Sequence, residues 1–357
     1  MTHDAVPTDL AEPFPPVRFA LVGYGGGGRF FHAPIISGAD GCDLVAVVTG
    51  NPERAALARA EHGVRTVAEL EELADLGVEA VAISTPAATH TELTDRALRL
   101  GLATVCDKPF ALDAAAAEAT VALAAERDVL LSVYQNRRFD SDLLTLRRVL
   151  QEGTLGEVVR FESAFERWAD SEPPAAGAGL LRDFGSHLVD QALHLFGPVA
   201  TVAAQTRSRA AGPDAPEDDV RLQLTHVNGV RSELSGSWKQ AQPAPRFRVT
   251  GTRGSFVLDA PMDSQEAALL AGRTPRADGA AWGVEPPHHF ARVAVGSGPA
   301  LPVPSEAGAW PRFYAAVARA VRGRGPLPVE PGEAIASMRV LDAARRAAAE
   351  GTTVRLA

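Results

Sequence analysis

Five of the seven residues Val22-Gly23-Tyr24-Gly25-Gly26-Gly27-Gly28 are glycine, and they follow directly on the run Val17-Arg18-Phe19-Ala20-Leu21. Backbone this free serves either a loose linker or a loop that brings main chain against a ligand. The surroundings decide between the two. Short β-branched runs at 17–22, 44–49, 79–85, 103–106 and 129–134 alternate with Ala/Leu/Glu/Arg-rich segments of helical spacing at 52–62, 68–75, 90–101 and 113–127. Near-continuous apolar strands separated by helices read as a parallel sheet covered on both faces, a doubly wound α/β arrangement. The glycines therefore join a first strand to a first helix. Gly23-x-Gly25-x-x-Gly28 has the spacing of a dinucleotide fingerprint in the position that fingerprint requires. The first glycine permits the tight turn, the second lets backbone touch a pyrophosphate, and the third lets helix pack on strand, with the phosphate charge drawn to the helix N-terminus. Arg29 and Phe30, next along the chain, join Gly23, Gly25 and Gly28 as candidate cofactor contacts.

The texture changes near Arg138. Along 156–167, Val159, Phe161 and Phe165 fall on one face and Arg160, Glu162 and Glu166 on the other. The segments 221–227 and 230–238 alternate too, and 246–250 and 254–258 read as short strands. Period-two patterning predicts an antiparallel sheet with one wetter face. Helices are expected at 186–196, 310–322 and 333–350, long loops at 271–305, and no internal repeat is visible. A chain of 357 residues is long for one core. The reading is thus a tail at 1–16, a Rossmann dinucleotide-binding domain at 17–135, and an α+β domain at 136–357. The second domain has a large, mainly antiparallel open sheet.

Composition removes several function classes. The net charge of −9 argues against a nucleic-acid partner, which needs a basic surface. Cys42 and Cys106 are the only cysteines, too few for a disulfide framework and in keeping with a reducing cytoplasm. The first 16 residues are acidic and proline-rich, without a basic start or apolar core, so no signal peptide is expected. No apolar run is long enough to span a membrane.

Three segments carry the chemistry. The second strand ends in Thr49-Gly50-Asn51-Pro52-Glu53-Arg54, where a carboxylate would usually grip the ribose 2′-hydroxyl of NAD. Thr49 and Asn51 are neutral and Arg54 follows, a set suited to a 2′-phosphate, so NADP(H) is expected over NAD(H). The plainer alternative makes Asn51 a helix cap and Arg54 an exposed first-turn residue. Lys108, in Val105-Cys106-Asp107-Lys108-Pro109-Phe110, stands at the carboxyl end of a strand, where open α/β sheets bind ligands. The alternative is a solvated surface lysine. Asp183 and His187 lie one turn apart if a helix begins near Asp183, and a carboxylate beside an imidazole would raise its basicity. Against this stands a helix N-cap at Asp183 or Ser186. A metal stripe of Asp183, His187, Asp190 and His194 lacks a clear further ligand set, and no metal is expected.

Gly23 to Gly28, Thr85-Pro86-x-x-x-His90, Asp107-Lys108-Pro109 and Asp183-x-x-x-His187 occur in the order found in the glucose–fructose oxidoreductase/inositol dehydrogenase (Gfo/Idh/MocA) family. The chain resembles that family from about Val17 to its end. It looks most similar to NADP-dependent scyllo-inositol dehydrogenase-like members, through Gly28-Arg29-x-Phe31-His32-Ala33-Pro34, Asn136-Arg137-Arg138-Phe139-Asp140-Ser141-Asp142 and His187-Leu188-Val189-Asp190-Gln191. The resemblance implies an NAD(P)-dependent dehydrogenase acting on a polyol, inositol or sugar-like substrate, built as a homodimer or homotetramer through the open sheet. It implies that Lys108 contacts nicotinamide ribose and substrate, that His187 is the acid/base, and that Asp183 binds substrate. Thr85, Pro86 and His90 become cofactor contacts. Asn136, Arg137 and Arg167 are further substrate candidates, each with a surface charge or turn as its plain alternative. The chain departs from the pattern at Asp107, where glutamate is commoner, at Ala87, where asparagine usually follows Thr-Pro, at 170–181, which lacks a Gly-Gly-rich, Trp-containing approach, and at Arg182, where an aromatic is expected. Two rivals remain at this stage. One is a dinucleotide-sensing regulatory protein, and the other is a glycosidase that uses a tightly held NAD transiently.

Overall fold

The structure, a computed structural model, describes residues 14–169, 179–209, 215–259 and 264–356. Most of the expected tail, residues 1–13, lies outside that set, as do residues 170–178 of the segment singled out beside the substrate. The N-terminal sheet holds β1 (Val17–Val22), β2 (Cys42–Val48), β3 (Arg65–Val67), β4 (Ala80–Ile83), β5 (Ala103–Cys106) and β6 (Leu131–Val133). All six are parallel, in the order β3-β2-β1-β4-β5-β6. Every residue of β4, β5 and β6 is buried, as strands covered on both faces must be. Strand order reverses between β1 and β4, which opens a crevice at their carboxyl ends.

The connecting helices begin where short polar residues can cap them. Asn51 accepts hydrogen bonds from the Glu53 and Arg54 amides and starts α2 (Pro52–His62), and α1 (Ala33–Gly38) precedes it. After α3 (His90–Arg99), Asp113 accepts from the Ala116 amide and starts α4 (Ala114–Arg127). Two elements of this half escaped the sequence reading. β3 is three residues long and has no buried residue, so it leaves no apolar run. Helix α5 (Ser141–Gln151) lies where only a change of texture was read.

A nine-stranded sheet follows, built from β7 (Val158–Glu166), β8 (Val199–Arg207), β9 (Asp219–His226), β10 (Arg231–Ser237), β11 (Phe247–Gly251), β12 (Gly254–Leu258), β13 (Ala291–Val295), β14 (Leu301–Val303) and β15 (Val354–Arg355). Its central pair, β7 and β10, is parallel and every other pairing is antiparallel. The sheet is therefore mixed at its middle and antiparallel elsewhere. β13 and β14 correct the expectation of loops across 271–305. They lie at one edge of the sheet, where Pro302 is tolerated and little side-chain burial marks a strand. Val159 also departs from its expected face: it is 41% exposed while Phe161 and Phe165 are buried.

Helix α6 (Leu180–Phe196) covers the inner face of β7, β9 and β10. It starts six residues earlier than the expected 186, with Gly179 at its N-cap and no side-chain cap, so neither Asp183 nor Ser186 caps it. The helix Pro331–Glu350 packs on α6 and β8 on one side and on α4 and β6 on the other, joining the two sheets. Phe161, Phe247 and Phe256 are fully buried against this layer, each contributing ~1.5–3 kcal/mol. The outer face is polar, since Arg221, Gln223 and Thr225 of β9 are exposed while Val220, Leu222 and Leu224 point inward. Among the described residues no helix is long and apolar enough to cross a membrane.

Candidate active site

The glycine loop is shaped by contact as well as by freedom. Gly23 has φ +95°, and a Cβ there would lie 2.3 Å from the Ser84 carbonyl oxygen. A Cβ on Gly28 would lie 2.2 Å from the Gly23 carbonyl oxygen, so strand and helix meet too closely for any side chain. Gly25 differs: its Cβ position is 3.9 Å from the nearest atom, Arg54 Nη1. The loop is closed beneath and open above, and these residues fit the pyrophosphate of a dinucleotide.

The chain leaves the loop in a π-helical turn, Gly27–His32, in which the Ala33 amide reaches back to the Gly28 carbonyl. That turn sets Arg29 and Phe30 at the surface and buries His32. Arg29 donates to both oxygens of Glu61, to Oε2 at 3.0 Å, and the Tyr24 hydroxyl donates to the same Oε2 at 2.7 Å. Arg29 thus ties loop to α2, and its guanidinium stands 5.1 Å from the Phe30 ring. The guanidinium of this candidate cofactor contact is thus engaged by Glu61.

Thr49, Arg54 and Thr85 line a cleft of 240 Å3 with Gly23, Gly50 and Arg96. Lys108 and His187 are not among its walls. Asn51 spends its Oδ1 on capping α2, and its amide donates to Thr49 Oγ1 at 3.3 Å, so the capping role applies to it. Arg54 has no hydrogen bond or ion pair through its guanidinium among the described residues, while Arg96 is engaged by Glu69 and Glu71 at 3.2 and 2.7 Å. Pro86 opens a short turn in which the Thr89 hydroxyl donates to its carbonyl and meets Thr85 Oγ1. His90 is 2% exposed, with Nδ1 2.8 Å from the Pro109 carbonyl and Nε2 2.9 Å from the Thr85 carbonyl. Both ring nitrogens of this expected cofactor contact face main-chain carbonyls.

Asp107 and Lys108 follow β5. Asp107 Oδ1 accepts from the Lys108 amide at 2.8 Å, and Oδ2 meets the Ser84 hydroxyl at 3.0 Å and His32 Nε2 at 3.1 Å. Burial works against this carboxylate's charge, but His32, His90 and Lys108 outweigh it and hold the group well below the usual carboxylate range. His32 Nδ1 in turn meets the Tyr314 hydroxyl at 2.6 Å, and the His32 ring lies 4.3 Å from that of Tyr134. In the sequence His32 and Asp107 stand out only as parts of motifs. Tyr314 comes from a helix 282 residues away, a distance no local pattern signals.

Lys108 Nζ lies 2.5 Å from Asp183 Oδ1. One turn further along α6, His187 is 4% exposed, and its Nδ1 has no hydrogen-bond partner among the described residues. Burial pushes its pKa well below the ordinary value, and the charges of Lys108, Arg137 and Arg246 push the same way. This reverses the expected effect of Asp183: the carboxylate pairs with Lys108, and the imidazole is held neutral.

The other substrate candidates are placed differently. Arg137 is ion-paired with Asp140 at 3.1 Å and with Glu266, and lies against the rings of Phe165 and Trp310. It acts on His187 as a buried charge and has no guanidinium edge free for a direct contact beyond its unpartnered Nε. Asn136 is buried beside it. Arg167 is exposed, with its guanidinium 5.1 Å from Phe184, and Phe184 stacks on Phe165 at 3.7 Å. Arg246, unread in the sequence, is buried and holds Asp142, Ser163 and Gln191 at 2.7 to 2.9 Å. Asp190 is taken by Arg138 at 2.7 and 2.8 Å, and no three His, Cys, Asp or Glu residues among those described form a metal-binding group.

Comparison with known proteins matches residues 17–135 to the oxidoreductase family with an NAD-binding Rossmann fold, and residues 143–257 to the GFO/IDH/MocA C-terminal domain. The chain belongs to the GFO/IDH/MocA oxidoreductase family. It is 31% identical over 352 residues to the scyllo-inositol 2-dehydrogenase (NADP(+)) of Bacillus subtilis, covering 95% of this chain and 96% of that one. It is 32% identical over 254 residues to the inositol 2-dehydrogenase of Rhizobium meliloti, over 68% of this chain and 76% of that one. An oxidoreductase from Bacillus cereus has a solved structure that superposes with a TM-score of 0.86 at 27% identity, covering 96% of this chain and 99% of the other. Like the family, the chain is an NAD(P)-dependent oxidoreductase, in agreement with the resemblance read from its motifs.

Proposed function

We propose that the chain is a cytoplasmic dehydrogenase that prefers NADP(H) to NAD(H) and interconverts a secondary alcohol and a ketone on a polyol, inositol or sugar-like substrate. The observation that carries this reading is the Lys108–Asp183 contact, which joins the end of the nucleotide-binding sheet to the helix bearing His187. The bound nicotinamide supplies the hydride acceptor or donor. The protein's residues handle the proton and the charge. As the C–H bond gives up its electron pair as hydride, the hydroxyl proton must leave, and neutral His187 takes it as general base. Lys108 donates to the oxygen as it becomes alkoxide-like, in a site with little water. Asp183 holds Lys108 in place and presents a second carboxylate oxygen to a neighbouring substrate hydroxyl. Asn136, Arg137 and Arg167 are the further substrate contacts of this reading, and the charge of Arg137 acts on His187.

Arg54 supports the NADP(H) preference, because it is a cation without a partner among the described residues, beside the open side of Gly25. In this reading residues 17–135 hold the nucleotide, and 136–357 hold the substrate. The outer face of the large sheet mediates a homodimer or homotetramer. Neither nucleic acid nor membrane is a partner, in keeping with the net charge of −9. The test is nicotinamide absorbance with NADP+ and with NAD+ against a panel of inositols, aldoses and sugar acids. Turnover of a polyol with NADP+ favoured supports the reading. Nucleotide binding with no turnover of any panel member contradicts it and favours a sensing protein.

A further inference from the structure

His90 is a buried titratable group at this site that the chemistry above does not use. Its two ring nitrogens face two main-chain carbonyl oxygens, of Pro109 at 2.8 Å and of Thr85 at 2.9 Å. A carbonyl oxygen only accepts, so a ring that bonds to both must carry a proton on each nitrogen. Its neighbours suit that charge: the Cys106 side chain and the Asp107 carboxylate stand beside it, and Asp107 is in turn shared with His32 and Lys108. Burial opposes the charge, yet Cys106, Asp107 and the Pro109 carbonyl together leave the imidazole pushed up to about 10.

The position explains why such a group is placed here. The β4–β5 ladder ends at the pair Ile83 and Cys106, with one more bond from the Asp107 amide to the Ile83 carbonyl. Beyond that point each loop carries a proline, Pro86 and Pro109, which has no N–H to donate. The two loops therefore have carbonyls to satisfy and few donors between them. His90, first residue of α3, supplies both missing donors and continues the cross-link past the end of the sheet. One loop begins with Thr85, a wall of the nucleotide cleft, and the other bears Lys108.

We propose that His90 is a positioning residue, a doubly donating imidazolium that fixes the spacing between the Thr85–Pro86 loop and the Lys108–Pro109 loop and so sets Lys108 against the reacting oxygen. The proposal rests on the reading that Lys108 works at the hydride-transfer site.

Two measurements test it, and the first needs no turnover. Ring 15N spectra of the full-length protein at pH 8 are expected to show one histidine protonated on both nitrogens, and that signal is absent from His90→Gln and His90→Asn. Unlike shifts for the two His90 nitrogens, the mark of a neutral ring, overturn the proposal whether or not the chain is a dehydrogenase. In the second measurement, His90→Gln lowers kcat on the order of 10²-fold, the loss expected when a reacting group is misplaced by about 1 Å. The Kd for NADP+ changes by less than about threefold, since both ring nitrogens are spent on main-chain carbonyls. An unchanged kcat, or equal losses in kcat and in NADP+ affinity, overturns the positioning role. The first outcome would leave Lys108 unaffected by the clamp, and the second would make His90 a general structural residue.

Discussion

His187 lies near three cations, Lys108, Arg137 and Arg246, inside a buried site, and each disfavours a further positive charge. A base with a depressed pKa is competent above that pKa and is lost as pH falls through it. The acid limb of kcat/KM for alcohol oxidation is therefore expected well below 6.5, the ordinary imidazole value. A pH profile of the wild type checks this, and a limb at or above 6.5 contradicts it. Arg137→Met removes one cation and is expected to move the limb upward. Arg54 makes a separate prediction. If it grips a 2′-phosphate through a charge-assisted bond worth ~1.5–3 kcal/mol, Arg54→Ala raises KM for NADP+ about tenfold or more and leaves NAD+ within about twofold. Steady-state kinetics with both nucleotides decide it. At this scale the candidates Lys108, Asp183 and His187 were legible as residues, because they sit at a strand end or one helical turn apart. Their pairing was not. Asp183 binds Lys108, 75 residues away, and not its helix neighbour, a choice that only the packing of α6 against the first sheet makes.

The glycine loop shows how one motif combines two physical demands. Gly23 and Gly28 are closed in by backbone at 2.3 and 2.2 Å, whereas Gly25 faces open space. Gly28→Ala is therefore expected to destabilise the fold, costing several kcal/mol from backbone overlap. Gly25→Ala is expected to fold with a melting temperature near that of the wild type and to lose nucleotide affinity. Thermal melts with nucleotide titrations separate the two. Elements with strong local signals were read well: β1 and β5 have the expected bounds, and α2 runs from a capping Asn51 to Gly63 in the left-handed region. Elements decided by tertiary contact were not. β3 has no buried residue, and β14 holds a proline and lies at the sheet edge. The π turn at Gly27–His32 also has no local signature, since its extra residue is fixed by His32 reaching Asp107 and Tyr314.

Across the whole molecule, the C-terminal half completes the nucleotide half's site. Tyr314, on the helix Pro311–Val321, meets His32 Nδ1 through its hydroxyl at 2.6 Å, and His32 meets Asp107 beneath the glycine loop. Tyr314→Phe leaves a buried ring nitrogen without its partner and is expected to cost about 1–3 kcal/mol, read by denaturant unfolding. The two-sheet plan was legible because its patterns differ, with buried runs giving way to alternation near Arg138. The parallel pairing of β7 with β10 was not, because strand order depends on connections that no single segment records. The central claim is that Lys108 and His187 act on one oxygen, the first on its charge and the second on its proton. A double-mutant cycle of Lys108→Met and His187→Gln, followed by the rate of nicotinamide reduction with an active polyol, tests this most directly. Each single variant is expected to lose roughly 10²- to 10³-fold, and the double variant little more than either. Losses that multiply in the double variant, or a single variant that keeps most of its rate, would contradict the account.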